Sequence, residues 1–188
     1  MYIDIYDFDH TVYDGDSTID FYFYCLRHYP QTLRALPRQV CGALSYGLKR
    51  IGKTAWKTAF FSFLAALPDT DAAVEGFWAA NAGKIKGFYR GADHSHDVII
   101  SASPEFLLAP ICRQLGVYRL IATRTNPRTG VITGENCWGA EKVARLNQEL
   151  SEYHVGKCYS DSLSDLPILQ LAEQPFLVDG DRITPYQP

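Results

Sequence analysis

The sequence predicts an α/β protein in which a doubly wound parallel sheet carries an inserted bundle of α-helices. Two observations lead to this prediction. In the second half of the chain, short apolar runs typical of buried strands alternate with segments of helical periodicity. In the first half, four helical segments follow a single strand through short connections, as in a small bundle. Strands that alternate with helices favour a Rossmann-like parallel sheet with helices on both faces.

The first strand is expected at Tyr2–Tyr6, an apolar run typical of a buried strand. Capping residues or a helix-starting proline then mark the beginnings of four helices, at Ser17 or Thr18, near Pro37, at Thr54 and at Asp71. One face of the second helix repeats at helical spacing, as expected for packing within the bundle: Leu36, Val40, Leu44, Leu48 and Ile51.

The second half of the chain supplies the rest of the sheet. Strands are expected at 98–100, 119–122, 155–159 and 175–178, a hairpin at 126–133 and a turn at 178–181. Helices are expected between them at 104–115, 140–150 and 163–172. We therefore predict a catalytic core formed by residues 1–15 and 86–188, and a helical cap formed by residues 16–85 and inserted after the first strand.

The composition indicates a folded protein in a reducing compartment. Apolar residues make up 47% of the 188 residues, which suits an ordinary buried core. The five cysteines are odd in number and form no C-x-x-C pair, which argues against a disulfide framework or a zinc site. No signal sequence is expected at the N-terminus, where Asp4, Asp7 and Asp9 interrupt any apolar core, and no apolar run approaches the roughly 18 residues of a transmembrane helix. A cytoplasmic protein is therefore expected.

The net charge of −3 hides a basic segment. Residues 21–68 contain no Asp or Glu and seven basic side chains: Arg27, Arg34, Arg38, Lys49, Arg50, Lys53 and Lys57. A basic segment in an acidic protein points to an anionic partner, and a solvated helix face is an equally weighted alternative. Peripheral contact with an anionic membrane is one such partnership, whereas a nucleic acid is not expected.

Polar side chains fall at one edge of the predicted sheet. Open α/β sheets bind ligands outside the carboxyl ends of their strands. Four clusters lie at these ends: Asp7 with Asp9, Ser101, Lys142 at the start of a helix, and Asp161 with Asp165. The edge is therefore the expected position of the functional site.

These residue types suit the hydrolysis of a phosphate monoester. One carboxylate can attack phosphorus and form an aspartyl-phosphate, while a second protonates the leaving oxygen and then activates water. Because nucleophile and phosphate are both anionic, Mg²⁺ would offset their repulsion, with Asp7 and Asp161 as natural ligands. Lys142 would add positive charge, Ser101 a hydrogen bond, and the helix that starts at Pro104 free backbone donors.

The four clusters resemble the motifs of the haloacid dehalogenase-like phosphatase superfamily, in its phosphoserine phosphatase-like branch with a helical cap. In this sequence they are Asp7-Phe8-Asp9-His10-Thr11-Val12, Ser101, Lys142 and Ser160-Asp161-Ser162-Leu163-Ser164-Asp165. They occur in family order, and the resemblance covers essentially the whole chain. The second aspartate of the first motif favours phosphate transfer, because dehalogenases release a halide that needs no proton and lack this residue.

The resemblance implies a role for each acidic residue of the motifs. Asp7 would be the nucleophile, and Asp9 the general acid and base. Asp7, Asp161 and the backbone carbonyl of Asp9 would bind Mg²⁺. Asp165 would support the metal site.

The resemblance also implies residues for phosphate binding and substrate choice. Ser101, Ala102 and Lys142 would hold the phosphate, and Thr11 would support the first motif. Asp16 occupies the position at which phosphoserine phosphatases use Glu to bind the substrate's ammonium, so it is a candidate specificity residue; a simple turn residue is the alternative. Ser101-Ala102-Ser103 replaces their Ser-Gly-Gly, which counts against phosphoserine itself and leaves lipid phosphates open.

Some polar residues outside the motifs are expected to be structural. Asp4 faces away from Asp7 by strand parity, so an edge or capping role is expected. His94 and His96 lie in a polar loop without a third ligand nearby, so a solvated turn is expected rather than a metal site.

Three functions are compatible with these observations. The first is a Mg²⁺-dependent phosphomonoester hydrolase that acts through phospho-Asp7 on a small or lipid-linked phosphate. The second is a phosphatidylglycerophosphate-type lipid phosphatase at the membrane surface, supported by the basic cap with Trp56, Phe60 and Phe61. The third is a binding or regulatory protein that keeps the fold without catalysis. The complete set of motif residues argues against the third.

Overall fold

The computed structural model describes residues 1–187 and confirms the predicted α/β architecture. Six strands form one sheet in the order β3-β2-β1-β4-β5-β6. The strands are Tyr2–Tyr6 (β1), Asp97–Pro104 (β2), Arg119–Thr123 (β3), His154–Ser160 (β4), Ala172–Asp179 (β5) and Arg182–Pro185 (β6). The first five are parallel, and β6 is antiparallel to β5. The strand order changes direction between β1 and β4, which is where open α/β sheets bind ligands.

Four helices lie between β1 and β2 and form the helical insertion: Ser17–His28 (α1), Leu36–Gly47 (α2), Lys53–Phe60 (α3) and Thr70–Asn81 (α4). The remaining helices are Glu105–Leu115 (α5), Ala140–Glu149 (α6) and Leu166–Leu169 (α7). Within residues 1–187, no helix combines the length and apolarity that crossing a bilayer requires. The division into a core of residues 1–15 and 86–188 and a cap of residues 16–85 stays a prediction.

Side-chain caps fix where two of the inserted helices begin. Asp16, rather than Ser17 or Thr18, caps α1, because its carboxylate accepts a hydrogen bond from the N–H of Ile19 at 2.9 Å. Asp69, rather than Asp71, caps α4 by accepting from the N–H of Ala72 at 3.0 Å. Both corrections move the cap to the residue just before the helix.

Apolar side chains cover both faces of the sheet, as expected for parallel strands between helices. Along β2, Ile99 packs with residues of the helical insertion and α5 on one face. Val98 and Ile100 pack with residues of α6 and α7 on the other face. The alternation follows from the two-residue period of a strand.

The C-terminal region departs from the prediction. Instead of a helix over 163–172, a 3₁₀ turn at Leu163–Asp165 leads into the single turn of α7, and β5 already begins at Ala172. The turn expected at 178–181 joins β5 to β6 and closes a hairpin. The strand β6 has only 4 residues, too few to show a period in the sequence.

Helix α2 forms near its predicted start, but its periodic apolar face does not pack in the bundle. The helix contacts its surroundings through Gln39 and Gly42, and Gly42 lies against Ala59 of α3. Because glycine has no side chain, two helices can approach closely there. The four residues of the apolar face that precede Lys49 are therefore exposed: Leu36, Val40, Leu44 and Leu48.

Asp4 and His94, two polar residues outside the motifs, differ in how well the structure agrees with their predicted roles. Asp4 lies on the central strand β1 and not at an edge of the sheet, and it fits the expected capping role, since its carboxylate accepts from the N–H of Lys157 at 2.8 Å. His94 is buried, contrary to the prediction of a solvated turn. Its Nδ1 lies 2.7 Å from Asp97 Oδ2, and its ring stacks on Tyr89 with ring centres 3.9 Å apart. These partners exclude water from the ring.

Candidate active site

A cavity of about 360 Å³ lies at the carboxyl ends of β1, β2 and β4. One side of it is polar and carries residues of the motifs: Asp7, Asp9, Lys142, Asp161 and Asp165. The other side comes from the helical insertion and is largely apolar: Ile19, Trp56, Phe60 and Phe61. The parallel register of neighbouring strands brings the motifs together, as their position at strand ends predicts.

Lys142 joins two carboxylates in this cavity. Its Nζ donates hydrogen bonds to Asp7 Oδ1 at 2.7 Å and to Asp165 Oδ2 at 2.6 Å. The residue lies in the first turn of α6, which starts after Gly139 with its positive φ of 60°. Burial lowers the pKa of Lys142, but the two carboxylates together raise it more. The pKa therefore lies above its usual range, and the side chain stays protonated.

Asp7 is the first residue after β1, where its N–H donates to the carbonyl of Tyr159 at 2.9 Å. Burial raises the pKa of its carboxyl; the charge of Lys142 opposes this rise, and the carboxylate of Asp165 adds to it. The net direction of the pKa is upward, because burial outweighs the effect of Lys142, whose ammonium group Asp7 shares with Asp165. The surroundings of Asp7 therefore favour an additional cation.

Two serines hold the carboxylate of Asp9. Its Oδ1 accepts hydrogen bonds from the N–H and the hydroxyl of Ser17 at 2.7 and 2.6 Å, at the first residue of α1. Its Oδ2 accepts from the hydroxyl of Ser103 at 2.5 Å. Burial, and to a lesser extent the Asp16 carboxylate, raise the pKa of Asp9, while the serine hydrogen bonds oppose the rise. A raised pKa makes the protonated carboxyl more accessible, as a general acid requires.

Ser103 was not predicted as a site residue, although its position carried a signal. Ser101 and Ser103 are two residues apart at the end of a strand, so they tend to share a face. Ser101 itself is 1% exposed; its hydroxyl accepts from the N–H of Ser103 at 3.0 Å and lies 3.5 Å from Asp9. Ala102 and Ser103, rather than Ser101, line the cavity at this point.

The last motif contributes one exposed and one buried carboxylate. Asp161 follows β4 and lines the cavity as an exposed residue. Asp165 is buried and accepts from the hydroxyl of Ser160 at 2.8 Å in addition to Lys142. Thr11 of the first motif is fully buried, and its hydroxyl has no hydrogen-bond partner in the described part of the chain. Thr11 therefore belongs to the packed interior and not to the cavity surface.

The cavity offers oxygen ligands suited to a divalent cation. Asp7 and Asp161 both line it, and the carboxylates around Lys142 outnumber the positive charge. Among residues 1–187, no three acidic, histidine or cysteine side chains converge into a closed metal cluster. Mg²⁺ commonly uses only one or two carboxylates, with water and substrate phosphate as its other ligands. The donor set therefore fits Mg²⁺ better than a closed structural metal.

Asp16 has a structural role that was not predicted and also lies at the candidate site. It caps α1 through its bond with Ile19, and it also lines the cavity. Its function as a cap is a structural fact, and its part in substrate choice stays a prediction.

Helix α3 contributes cavity contacts that were not predicted. Lys57 Nζ donates to the carbonyl of Ala102 at 2.9 Å and to Asn136 Oδ1 at 2.8 Å. One helical turn earlier, Lys53 Nζ lies 3.6 Å from the centre of the Trp138 ring. Burial, with a smaller contribution from Lys53, lowers the pKa of Lys57 to about 8. Through these two lysines the helical insertion contacts the end of β2 and the loop that precedes α6.

Lys86 fixes the backbone of the first motif and was also not predicted. Its buried Nζ donates to the carbonyls of His10 and Gly180 at 2.5 and 2.6 Å. His10 has a positive φ of 59°, which is uncommon for a residue other than glycine. The N–H of His10 donates to the carbonyl of Gly15 at 2.9 Å. These bonds hold His10 in its left-handed conformation next to Asp9.

Known proteins resemble the chain in sequence and in fold. Histidinol-phosphatase of Neisseria meningitidis is 33% identical over 96 residues, which cover 45% of this chain and 43% of that protein. The chain thus matches less than half of this relative's length. A protein of unknown function from Bordetella pertussis Tohama I superimposes with a TM-score of 0.74 and 25% identity over 93% of this chain and 88% of that one.

A more distant structure shares the fold alone. A phosphoserine phosphohydrolase-like protein from Francisella tularensis superimposes with a TM-score of 0.52 and 13% identity, over 93% of this chain and 86% of that one.

The family model of haloacid dehalogenase-like hydrolases matches residues 5–170, a range that contains every motif residue from Asp7 to Asp165. The chain therefore belongs to the haloacid dehalogenase-like hydrolase family.

Proposed function

We propose that this protein is a Mg²⁺-dependent phosphomonoester hydrolase that acts through an aspartyl-phosphate on Asp7. The observation that carries the proposal is the Lys142 bridge, which holds Asp7 in a cavity that also contains Asp9 and Asp161. Membership of a hydrolase family and the name of the Neisseria relative support the same class of reaction.

In the first step, a carboxylate oxygen of Asp7 attacks phosphorus. The bond between phosphorus and the alcohol oxygen breaks, and Asp9 gives its proton to that oxygen. The raised pKa of Asp9 favours the protonated form that this step needs. Lys142 orients Asp7 and attracts the phosphoryl oxygens, whose charge it helps to neutralise.

In the second step, Asp9 takes a proton from a water molecule whose oxygen attacks phosphorus. The bond between phosphorus and the Asp7 oxygen breaks, which releases inorganic phosphate and restores the Asp7 carboxylate. Ser17 and Ser103 would keep the Asp9 carboxylate in position for both proton transfers. An alcohol in place of water would give a phosphotransferase, so free phosphate is the product to measure.

Mg²⁺ would be held by Asp7, Asp161 and the backbone carbonyl of Asp9. When bound, it would offset the repulsion between the anionic nucleophile and the anionic phosphate. Ala102 and Lys142, which line the cavity, would bind the phosphate at the end of β2 and the N-terminus of α5, and Ser101 would support this segment through its bond with Ser103.

The proposal is tested by phosphate release from a panel of monoesters, with Mg²⁺ and with EDTA. The panel contains phosphoserine, histidinol phosphate, a sugar phosphate, a nucleotide and phosphatidylglycerophosphate. We expect metal-dependent release that Asp7→Asn abolishes. Asp4→Asn is the matched control, because Asp4 lies on the same strand and binds Lys157 instead of lining the cavity. A fully active Asp7→Asn variant would contradict the proposal.

A second candidate is a phosphatidylglycerophosphate-type lipid phosphatase at the membrane surface. The observation that favours it is the apolar side of the cavity, to which the helical insertion contributes Trp56, Phe60 and Phe61. Such a side suits an apolar leaving group better than a polyhydroxylated one. Preferred hydrolysis of phosphatidylglycerophosphate within the panel would support this candidate. Preferred hydrolysis of histidinol phosphate or phosphoserine would exclude it.

A binding protein without catalysis is the third alternative. The presence of Asp7, Asp9, Lys142 and Asp161 around one cavity argues against it, since together they supply a nucleophile, an acid and base, and a metal site. Binding of inorganic phosphate without release from any ester in the panel would favour it.

A further inference from the structure

Helix α2 presents an apolar stripe to solvent. The stripe consists of Leu36, Val40, Leu44 and Leu48, which are spaced by four residues and are between 39% and 64% exposed. A helix advances by about 100° per residue, so each step of four shifts the stripe by roughly 40° and the whole stripe covers about 120°. A sector of this width is usually the buried side of a surface helix. In this protein it faces outward.

The opposite side of α2 attaches the helix to the rest of the helical insertion. Gly42 lies against Ala59 of α3, and the ring of Tyr46 stacks on Trp56 with centres 5.4 Å apart. No residue of the apolar stripe lines the cavity. The stripe is therefore a surface of its own, fixed to the protein through α3.

Basic side chains border the stripe. Arg34 lies in the 3₁₀ turn just before α2, Arg38 lies on α2 between the stripe and the packed side, and Lys49 and Arg50 follow the C-terminal end of the stripe. All four are exposed, and within residues 1–187 none of them forms an ion pair with an acidic side chain. Residues 21–68 contain no Asp or Glu that could neutralise them. The surface thus combines an apolar centre with an uncompensated positive margin.

We propose that α2 docks this protein on an anionic membrane surface. The apolar stripe would enter the interface between headgroups and acyl chains, and the basic margin would lie beside the lipid phosphates. The charge pattern selects this occupant, because a second copy of the chain would bring one basic margin against another without any carboxylate between them. The docking surface is separate from the cavity, so it stands whether or not the substrate is a lipid.

The test is sedimentation of the full chain with vesicles at low and high salt. One set contains phosphatidylserine and phosphatidylcholine in equal parts, and the other phosphatidylcholine alone. We expect binding to the anionic set only, weakened by salt. Val40→Glu/Leu44→Glu should abolish it, and Arg34→Gln and Arg38→Gln should each weaken it about fivefold. Val131→Glu, a change of the same kind at an exposed position outside α2, should leave binding unchanged.

Three results would overturn the docking proposal. They are equal binding to neutral vesicles, unchanged binding of Val40→Glu/Leu44→Glu, and self-association in solution that this double variant abolishes. The last result would assign the stripe to a contact between copies of the chain. Phosphate release from a soluble ester should be the same in the α2 variants as in the unmodified protein, and Asp7→Asn should still bind vesicles. A failure of docking is thereby distinguished from a failure of the proposed hydrolysis.

Discussion

The Nζ of Lys57 lies 2.9 Å from the carbonyl oxygen of Ala102, so the helical insertion meets the end of β2 inside the cavity. The second partner of Lys57 is the side-chain oxygen of Asn136 at 2.8 Å. Both acceptors are neutral, and the carboxylates of Asp9 and Asp16 only partly offset the cost of burying this charge. The protonation state of Lys57 therefore affects the stability of the contact between the helical insertion and the end of β2.

Replacing Lys57 by methionine should change how stability depends on pH. The folded chain holds the pKa of Lys57 at about 8, against 10.5 for an unperturbed lysine. Between these values the unfolded chain binds a proton that the folded chain does not, so the contribution of Lys57 to the free energy of unfolding rises with pH. The free energy of unfolding of the unmodified protein, minus that of Lys57→Met, should therefore increase by on the order of 1–3 kcal/mol as the pH rises across this window.

Urea unfolding at several pH values measures this difference. The control is Lys157→Met, which removes an exposed lysine of β4. A difference between the unmodified protein and Lys57→Met that stays constant with pH would refute the linkage.

Lys142→Met should destabilise the fold as well as abolish hydrolysis. It leaves Asp7 and Asp165 as buried carboxylates without their shared ammonium, and removing one partner of a buried pair typically costs about 3–5 kcal/mol. The added change Asp165→Asn removes one of these carboxylates. The double variant should therefore recover part of the stability without recovering activity, as measured by denaturant unfolding and phosphate release. A single variant as stable as the unmodified protein would be inconsistent with this account.

Ser103→Ala should move the pH dependence of hydrolysis. The hydroxyl of Ser103 donates to Asp9 and so lowers its pKa, and its removal should raise that pKa. Because leaving-group protonation needs the protonated form of Asp9, the alkaline limb of the kcat profile should shift to higher pH. Ser103→Thr, which keeps the hydroxyl, is the matched control and should preserve the profile. An unchanged alkaline limb in Ser103→Ala would count against Asp9 as the acid.

Lys86→Met should lower kcat more than it changes KM. The substitution removes two hydrogen bonds to backbone carbonyls, one of them at His10 beside Asp9, and leaves both carbonyls without this donor. A loss of about 1–3 kcal/mol in the free energy of unfolding is expected. Lys84→Met is the control, because the Lys84 side chain is 45% exposed and its ion pair with Asp20 contributes little. Equal changes in kcat and in the free energy of unfolding for the two substitutions would show that Lys86 does not position the first motif.

The parallel sheet and the motif positions follow from local patterns and could be predicted. Asp7, Lys142 and Asp165 stand at strand or helix ends, and the parallel sheet brings these ends together, so their proximity needs no further information. The periodicity of α2 was also visible, but it specifies only that its leucines share a face. Which side of a helix packs depends on what lies next to it, in this case Gly42 against Ala59.

The supporting residues could not be predicted, because their partners are far away in the sequence. Lys86 is 76 residues from His10, and Lys57 is 45 residues from Ala102. Both lysines bind backbone carbonyls. Because every residue has a backbone carbonyl, the residue type at the acceptor position does not indicate the contact. Ser103 carried a signal through its spacing from Ser101, but its bond to Asp9 depends on how β2 ends beside β1.

Ser17 binds Asp9 and is at the same time the first residue of α1. The junction between the two parts of the chain is thus itself a part of the site. A chimera that exchanges the helical insertion between relatives, in order to transfer substrate preference, would replace this anchor if it were spliced directly after the first motif. A splice placed after Thr18, which also contacts Ser103, would keep Ser17 and Asp9 from the same parent protein.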